Sequence, residues 1–514
     1  MQIKKLILED EDIRTNILSD PDNIVVTASA GTGKTFTIVN KIAKILENKK
    51  SFKKIVAITF SKKAAAEIKD RLKNSANTAR QYDGVLTGTM HSWVVSEIIE
   101  PFYSDYYPLK NDRPITPYFG NQKAPVSTYE EGIQKFQDSG FLMPYIRQRP
   151  ENNANNNFRY GNDGYDFIFD LALDILKKSS VAKKYIITAY TAIFIDEYQD
   201  VNQSQHKLIS YIVNILNVRL CIFGDNKQEL YGFRGANPVF LDSFIQDTKF
   251  KHYELTHNFR SSRDIVDYAN SFAHNTSIVT LANLTDVQIK QSDKLVSVVK
   301  CLRKNFKNES ILILFASRRS GGNDRFELIK NSNPVFNDFF VEKELAYSES
   351  DNADILTELV KIIFGNSSLY NLSPFIETSK IHQKFNDLNY TISLIKENCQ
   401  SLEKNLHSLI DIINTIYTEK ITQTDTQLFL DTITDHEQLE SIIQTKNGLK
   451  ILTIHGAKGL EADNVIIFGN DFFWHNEFKP NIHYVAITRA KKKLIILDHR
   501  NQYLTMLNNK PNVL

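Results

Sequence analysis

Residues Asn23–Thr35 read NIVVTASAGTGKT, and this stretch limits the fold more than any other. The β-branched run Asn23–Ala28 predicts a buried strand, and Phe36–Leu46 predicts a helix directly after it. Between them lies a turn with two glycines, Gly31 and Gly33, where backbone N–H groups can close on phosphate oxygens. The N-terminus of the following helix favours the same anion. Lys34 supplies a point charge for the β- and γ-phosphates, and Thr35 a hydroxyl for Mg²⁺. The candidate nucleotide-binding residues are therefore Ala28, Ser29, Ala30, Gly31, Thr32, Gly33, Lys34 and Thr35, with Ala28 at the place of the pattern's first glycine. A strand–turn–helix of this kind requires an α/β sheet with its ligand at the carboxyl ends of the strands.

Further apolar runs at Ile55–Phe60, Ala192–Ile195, Leu220–Gly224, Leu449–Ile454 and Asn464–Gly469 predict more parallel strands, with helices such as Ile168–Lys178 between them. Asp196 and Glu197 follow one of these runs. Two adjacent carboxylates at the end of an apolar strand need a cation or a partner. Asp196 is the candidate Mg²⁺ ligand together with Thr35, and Glu197 the candidate base that orients the attacking water. Two stretches interrupt the alternation. Residues 96–165 are rich in aromatic residues, Pro and Asn, and Pro101–Phe119 predicts the core of a small inserted domain, with the lining of a DNA channel or a partner-binding face as the alternatives. Residues 346–446 predict helices, with apolar side chains at helical spacing from Phe385 to Ile416. At 514 residues, several domains are expected.

The net charge of +2 places any nucleic-acid surface in a local track. Cys221, Cys301 and Cys399 are widely spaced, which excludes a disulfide framework and a zinc site. The charged N-terminal residues argue against a secretory leader, and no apolar run is long enough to span a bilayer, so a cytoplasmic protein is expected.

Beyond the phosphate loop, seven segments resemble, in order, the motifs of superfamily 1A helicases of the UvrD/PcrA/Rep type. They are AITFSKKAAAEIKDRL (Ala57–Leu72), TGTMHSW (Thr87–Trp93), IDEYQD (Ile195–Asp200), FGDNKQELYGFRGA (Phe223–Ala236), ELTHNFRSS (Glu254–Ser262), LTIHGAKGLEADNVII (Leu452–Ile467) and HYVAITRAKKKLII (His483–Ile496). The resemblance implies two RecA-like P-loop NTPase domains with parallel sheets, each carrying a mainly helical insertion. The first domain would span 1–95 plus 166–260 around an inserted subdomain at 96–165. The second would span 261–345 plus 447–514 around a reduced helical insertion at 346–446. It further implies ATP and Mg²⁺ as ligands, with Gln228 sensing the γ-phosphate, Arg260 contacting it, Arg489 as arginine finger and Glu461 on the nucleotide sugar. Thr59, Phe60, Thr89, His91, Tyr231, Phe233 and His455 take the positions that face DNA, with structural hydrogen bonding or core packing as their bland alternative. Lys491–Lys493 read as a solvated helix face.

The segment Phe167–Asp200 and the short overall length resemble more closely the UvrD-like subunit of Gabija anti-phage systems, which implies a nuclease subunit, GajA, as partner. Two features depart from the helicase pattern. The family's adenine-reading glutamine upstream of the phosphate loop is missing, leaving Asn16 as the nearest amide, and the second insertion is short for a strong unwinding enzyme. The expected activity is a DNA-stimulated ATPase and 3′–5′ motor acting on single strands or DNA ends in a defence complex. The alternatives are a stand-alone repair helicase, a DNA-activated NTPase that depletes nucleotides, and a non-catalytic DNA-end sensor.

Overall fold

The computed structural model describes residues 10–47, 52–60, 62–74, 84–110, 115–117, 128–142, 166–232, 235–273, 283–320, 323–341, 350, 352–365, 367–372, 375–376, 378–397, 401–417, 420–443, 448–474 and 477–508. The chain divides into two compact units. One holds the described residues up to 294 and those from 454 onward, and the other holds those from 295 to 453.

Among the described residues, twelve strands form two parallel six-stranded sheets, and the remaining short strands pair two by two. The first contains β1 (Asn23–Ala28), β2 (Lys54–Thr59), β3 (Val85–Thr89), β4 (Tyr190–Ile195), β5 (Arg219–Gly224) and β6 (Phe250–Leu255), in the order β3-β2-β4-β5-β1-β6. Its central strands bury both faces, as runs of Ile, Val and Phe dictate. Val25, Val56, Ile58, Ile193, Ile195 and Ile222 enter one core. Their neighbours Ile24, Val26, Ile55, Ala57, Phe194 and Phe223 enter the other, the period of two expected for strands. The second sheet contains β7 (Val287–Gln291), β8 (Ile311–Phe315), β9 (Phe340–Val341), β10 (Leu449–Thr453), β11 (Ala462–Phe468) and β12 (Ala490–Asp498). In it β9, β10 and β8 run side by side, as do β11, β12 and β7.

Flanking helices in the first unit include α1 (Glu11–Ser19), α2 (Lys34–Glu47), α3 (Met90–Val94), α4 (Phe167–Lys178) and α5 (Gln203–Asn214). Asp166 caps α4 by accepting from the Ile168 N–H, and an Asn202/Gln205 capping box starts α5. The described part of the 96–165 stretch does not build a core of its own. Ile98, Ile99, Tyr107, Phe136 and Leu142 join the same core as α4 and the first sheet, with Phe102 and Tyr103 packed against it. Tyr118, Phe119 and the Asn-rich run at 151–164 fall outside the described residues.

The second unit has a helical module with its own aliphatic core. It includes α6 (Ala353–Phe364), α7 (Phe385–Glu397), α8 (Leu402–Asn414) and α9 (Gln423–Thr434). The predicted apolar run from Phe385 to Ile416 is two helices packed on each other, and Cys399 falls outside the described residues. Among the described residues no helix is long and apolar enough to cross a membrane.

Candidate nucleotide site and the aromatic surface beside it

β1 ends at Ala28, and the chain turns through Ser29–Gly33 before α2 begins at Lys34. Gly31 and Gly33 have φ of 76° and 78°, a region that side chains disfavour. Gly31 has a second constraint. A Cβ there would lie 2.7 Å from the Asn258 amide and 2.8 Å from the Arg260 Cβ. The two loops are joined by backbone and amide bonds, with Phe259 N–H donating to the Gly31 carbonyl at 2.9 Å and Asn258 Nδ2 to Ala30 at 2.7 Å. Arg260 is thus tied to the phosphate loop. On its other side Ser261 Oγ donates to the Ala490 carbonyl at the start of β12, at 2.7 Å.

Asp196 and Glu197 follow β4, and Glu197 adopts a left-handed φ of 55°. Lys34 Nζ donates to Glu197 Oε1 at 2.7 Å and lies 3.5 Å from Asp196 Oδ1. Burial opposes the ammonium charge, but Glu197 and Asp196 outweigh it and raise the Lys34 pKa. Burial pushes the Asp196 carboxyl up despite Lys34. It would do the same to Glu197, but Lys34 and then Lys458 hold that carboxyl below its ordinary value. Among the described residues no group of three or more His, Cys, Asp or Glu could hold a metal. A Mg²⁺ is ordinarily held by one or two carboxylates plus substrate phosphates. Asp196 and the hydroxyl of Thr35, next to Lys34, fit that donor set.

A chain of hydrogen bonds leads from this pair to an arginine. Gln199 Nε2 donates to Glu197 Oε2 at 2.5 Å, and Gln199 Oε1 accepts from the Asp225 N–H at 2.9 Å. Gln228 Nε2 donates to Asp225 Oδ2 at 2.7 Å, and Arg489 Nη2 donates to Gln228 Oε1 at 3.4 Å. Arg489 is 2% exposed and also donates through Nε to the Val485 carbonyl at 2.9 Å. Its burial, with the nearby charge of Arg260, lowers its pKa to about 10. Glu461 bridges Arg260 Nε and Lys491 Nζ, each at 2.5 Å. Burial would raise the Glu461 carboxyl, but Lys491 and Arg260 hold it below its ordinary value.

Five candidates thus meet at one place: Lys34, Asp196, Glu197, Gln228 and Arg489. Arg260 and Glu461 pair beside them. Sequence reasoning missed Gln199 and Asp225, which carry the middle of the chain. Both sit inside quoted motifs, but a hydrogen-bond partner has no sequence signature. Tyr484 was missed as well. Buried on the helix Pro480–Ile487, it hydrogen-bonds to Ala30 and Ser29 of the phosphate loop.

One residue named above is now placed, and one expectation is corrected. Asn16 is an exposed residue whose carbonyl accepts from Asp20 N–H. From the same helix it is Arg14 that reaches the phosphate loop, donating to the Thr32 carbonyl and to Thr37 Oγ1. The two positions are two residues apart, about 200° around the helix, and of the two Arg14 faces α2. Lys491–Lys493 lie on β12, not on a helix, and each is ion-paired, with Glu461, Asp463 and Asp286 respectively. Their β-branched and leucine continuation LIIL outweighs the helical propensity of lysine.

The candidate DNA residues divide. Phe60 and Tyr231 stack with ring centroids 6.1 Å apart, and His455 lies 6.2 Å from Tyr231. Thr59 is buried at the end of β2. Thr89 caps α3 in a capping box with Ser92. His91 Nε2 lies 3.0 Å from Asp166 Oδ2. Structural bonds therefore occupy Thr89 and His91. Phe233 falls outside the described residues.

Comparison with known proteins agrees with this geometry. Residues 13–234 match the family described as an AAA domain, and residues 295–501 match the UvrD-like helicase C-terminal domain. Gabija protein GajB of Bacillus cereus (strain VD045) is 34% identical over 95% of this chain and 96% of its own length. ATP-dependent DNA helicase PcrA of Staphylococcus epidermidis is 24% identical, covering 94% of this chain and 82% of its own. ATP-dependent DNA helicase Rep of Buchnera aphidicola subsp. Schizaphis graminum is also 24% identical, covering 95% and 93%. With a buried Lys–Asp–Glu cluster linked through glutamine to arginine, and with relatives aligned along nearly its whole length, the chain belongs to the UvrD-like family of ATP-dependent DNA helicases, together with GajB.

Proposed function

We propose that this chain is a DNA-stimulated ATPase and 3′–5′ helicase-type motor that acts in an anti-phage Gabija complex with the nuclease subunit GajA. The observation that carries the catalytic part is the unbroken path from Lys34 through Glu197, Gln199, Asp225 and Gln228 to Arg489. Similarity to GajB supports the biological setting.

In this reading the phosphates of ATP draw Lys34 away from the two carboxylates. Thr35 and Asp196 would hold a Mg²⁺, which would offset the negative charge of the phosphates. Glu197, freed of Lys34 and still beside the charge of Lys458, orients the attacking water. Gln228 reports the γ-phosphate to Asp225, while Arg260 and Arg489 stabilise charge on the transferred group. Tyr231, Phe60 and His455 form the surface on which bases stack.

The test is hydrolysis by wild type and Lys34→Ala, with and without single-stranded and blunt-ended DNA. Loss of turnover in the variant and stimulation of the wild type by DNA are expected. Turnover retained by Lys34→Ala overturns the site. Arg14 favours a second reading, a DNA-activated NTPase that depletes nucleotides. From α1 it offers donors only, and the amide of Asn16 is exposed, so adenine selection through this helix has no support. Comparable turnover of ATP and GTP would favour that reading, and strict use of ATP would exclude it.

A further inference from the structure

Lys458 belongs to the turn after β10, in the sequence HGAKGLE. Its side chain is 15% exposed and forms an ion pair with Asp200, whose side chain is fully buried. The ammonium also lies 3.5 Å from the Gln228 carbonyl oxygen and 5.1 Å from the centroid of the Tyr231 ring. One cation is therefore shared by three groups with different affiliations. Asp200 ends the single 3-10 turn, Tyr198–Asp200, that begins directly after Glu197. Gln228 holds Asp225 and Arg489. Tyr231 belongs to the stack with Phe60.

The pair is poorly designed as a stabiliser. Asp200 Oδ1 is buried and has no hydrogen-bond partner among the described residues, and burial pushes the carboxyl up to about 7 even beside Lys458. Incompletely satisfied buried ion pairs are commonly no more stable than apolar replacements. What the pair does fix is position. The left-handed residue Glu197 is held between Lys34 on one side and a turn anchored by Asp200 on the other.

We propose that Lys458 and Asp200 are positioning residues that transmit occupancy of the Tyr231–Phe60 surface by a DNA base to the orientation of Glu197. A base stacked on Tyr231 fixes the ring over the Lys458 ammonium. The ammonium then holds Asp200, and with it the turn that aims the Glu197 carboxylate. Neither residue touches nucleotide or DNA in this scheme. The proposal rests on the reading of Tyr231 and Phe60 as a DNA surface.

The experiment measures hydrolysis by the full chain across titrations of ATP and of oligo-dT. It compares wild type, Asp200→Asn, Lys458→Met, the double variant and Lys458→Arg. In the two single neutralising variants the maximal DNA-stimulated kcat should fall about tenfold, the size of coupling that contacting residues reach. The KM for ATP and the half-saturating oligo-dT concentration should stay within about threefold of wild type, which separates orientation from binding. Lys458→Arg should recover most of the stimulation, and the double variant should lose no more than either single one. Full stimulation in both neutralising variants overturns the proposal. So does a loss accounted for wholly by weaker oligo-dT binding, which would make Lys458 a plain DNA contact. Thermal melting of the double variant, which leaves no buried charge unpaired, separates misfolding from lost coupling: a folded double variant that keeps full stimulation also refutes it. If wild type binds oligo-dT yet shows no stimulation, the DNA-stimulated reading itself fails, and this inference with it.

Discussion

The carboxyl end of the first sheet and the helical module of residues 353–443 bury their side chains by opposite rules. At the sheet end Asp196, Gln199, Asp200, Asp225, Gln228 and Arg489 are buried polar groups held in specified directions. In the module the core is Ile355, Leu356, Leu359, Leu388, Leu406, Leu409 and their like. A buried polar knot ties the loop before α6 to α9: Asn352 Nδ2 and Ser350 Oγ donate to Asp425 at 2.9 and 2.5 Å. A buried polar group costs free energy unless its partner stands at the right distance and angle, so such a region tolerates few residue types. An aliphatic core accepts many combinations of similar volume. The first region therefore displays its chemistry in its sequence, and the second displays only its periodicity.

Three measurements sharpen or break this contrast. The largest effect is expected for Arg489→Ala, which removes the end of the hydrogen-bond chain. Its kcat should fall about 10³-fold or more, as for arginine fingers elsewhere. A fall of less than tenfold would show the chain to be structural. Next, Leu409→Ala in the module core should destabilise by about 2–5 kcal/mol in chemical denaturation. Its hydrolysis per folded molecule should match wild type, and a loss of kcat there would break the division between the regions.

The smallest effect concerns His206 on α5, an ionisable ring packed among apolar neighbours. It stacks on Phe240 at 4.6 Å, and its Nδ1 lies 3.0 Å from the Tyr198 hydroxyl. Burial lowers its pKa from the ordinary 6.5 to about 4. The folded state thus takes up its proton later than the unfolded chain does. The stability this contributes is complete above pH 6.5 and is lost as the pH falls from 6.5 toward 4. Melting temperatures of wild type should drop more steeply over that interval than those of His206→Phe. Equal slopes would show that the ring is solvated.

Where sequence reading succeeds and fails follows the same logic. The predicted strands end within two residues of the observed ones, because both faces of each central strand are buried and the run of Ile and Val has no other use. Lys34, Asp196, Glu197, Gln228 and Arg489, singled out from motifs, come together in space with Arg260 beside them, because each sits in a motif whose spacing the turn geometry constrains. Arg14 is not legible as the residue of this helix that meets the phosphate loop, since two steps along a helix turn a side chain by about 200° and the choice between Arg14 and Asn16 depends on packing against α2. The aromatic stretch near Tyr107 is legible as core, but not as a share in the α4 core, because hydrophobicity carries no address. Thr89 and His91 resemble DNA contacts in spelling, and the bonds they make here, a helix cap and a contact with the buried Asp166 carboxylate, could not be read from the motif.

The tight fit at Gly31 has a consequence for how such proteins can be recombined. The loop at 28–33 and the loop at 258–261 meet with no room for a single methyl group, and each takes its shape from the other's backbone. They are lock and key cut from one blank. A chimera whose crossover falls between them inherits halves shaped by different histories, whereas a graft that carries both loops together moves the phosphate cradle and its arginine as one part.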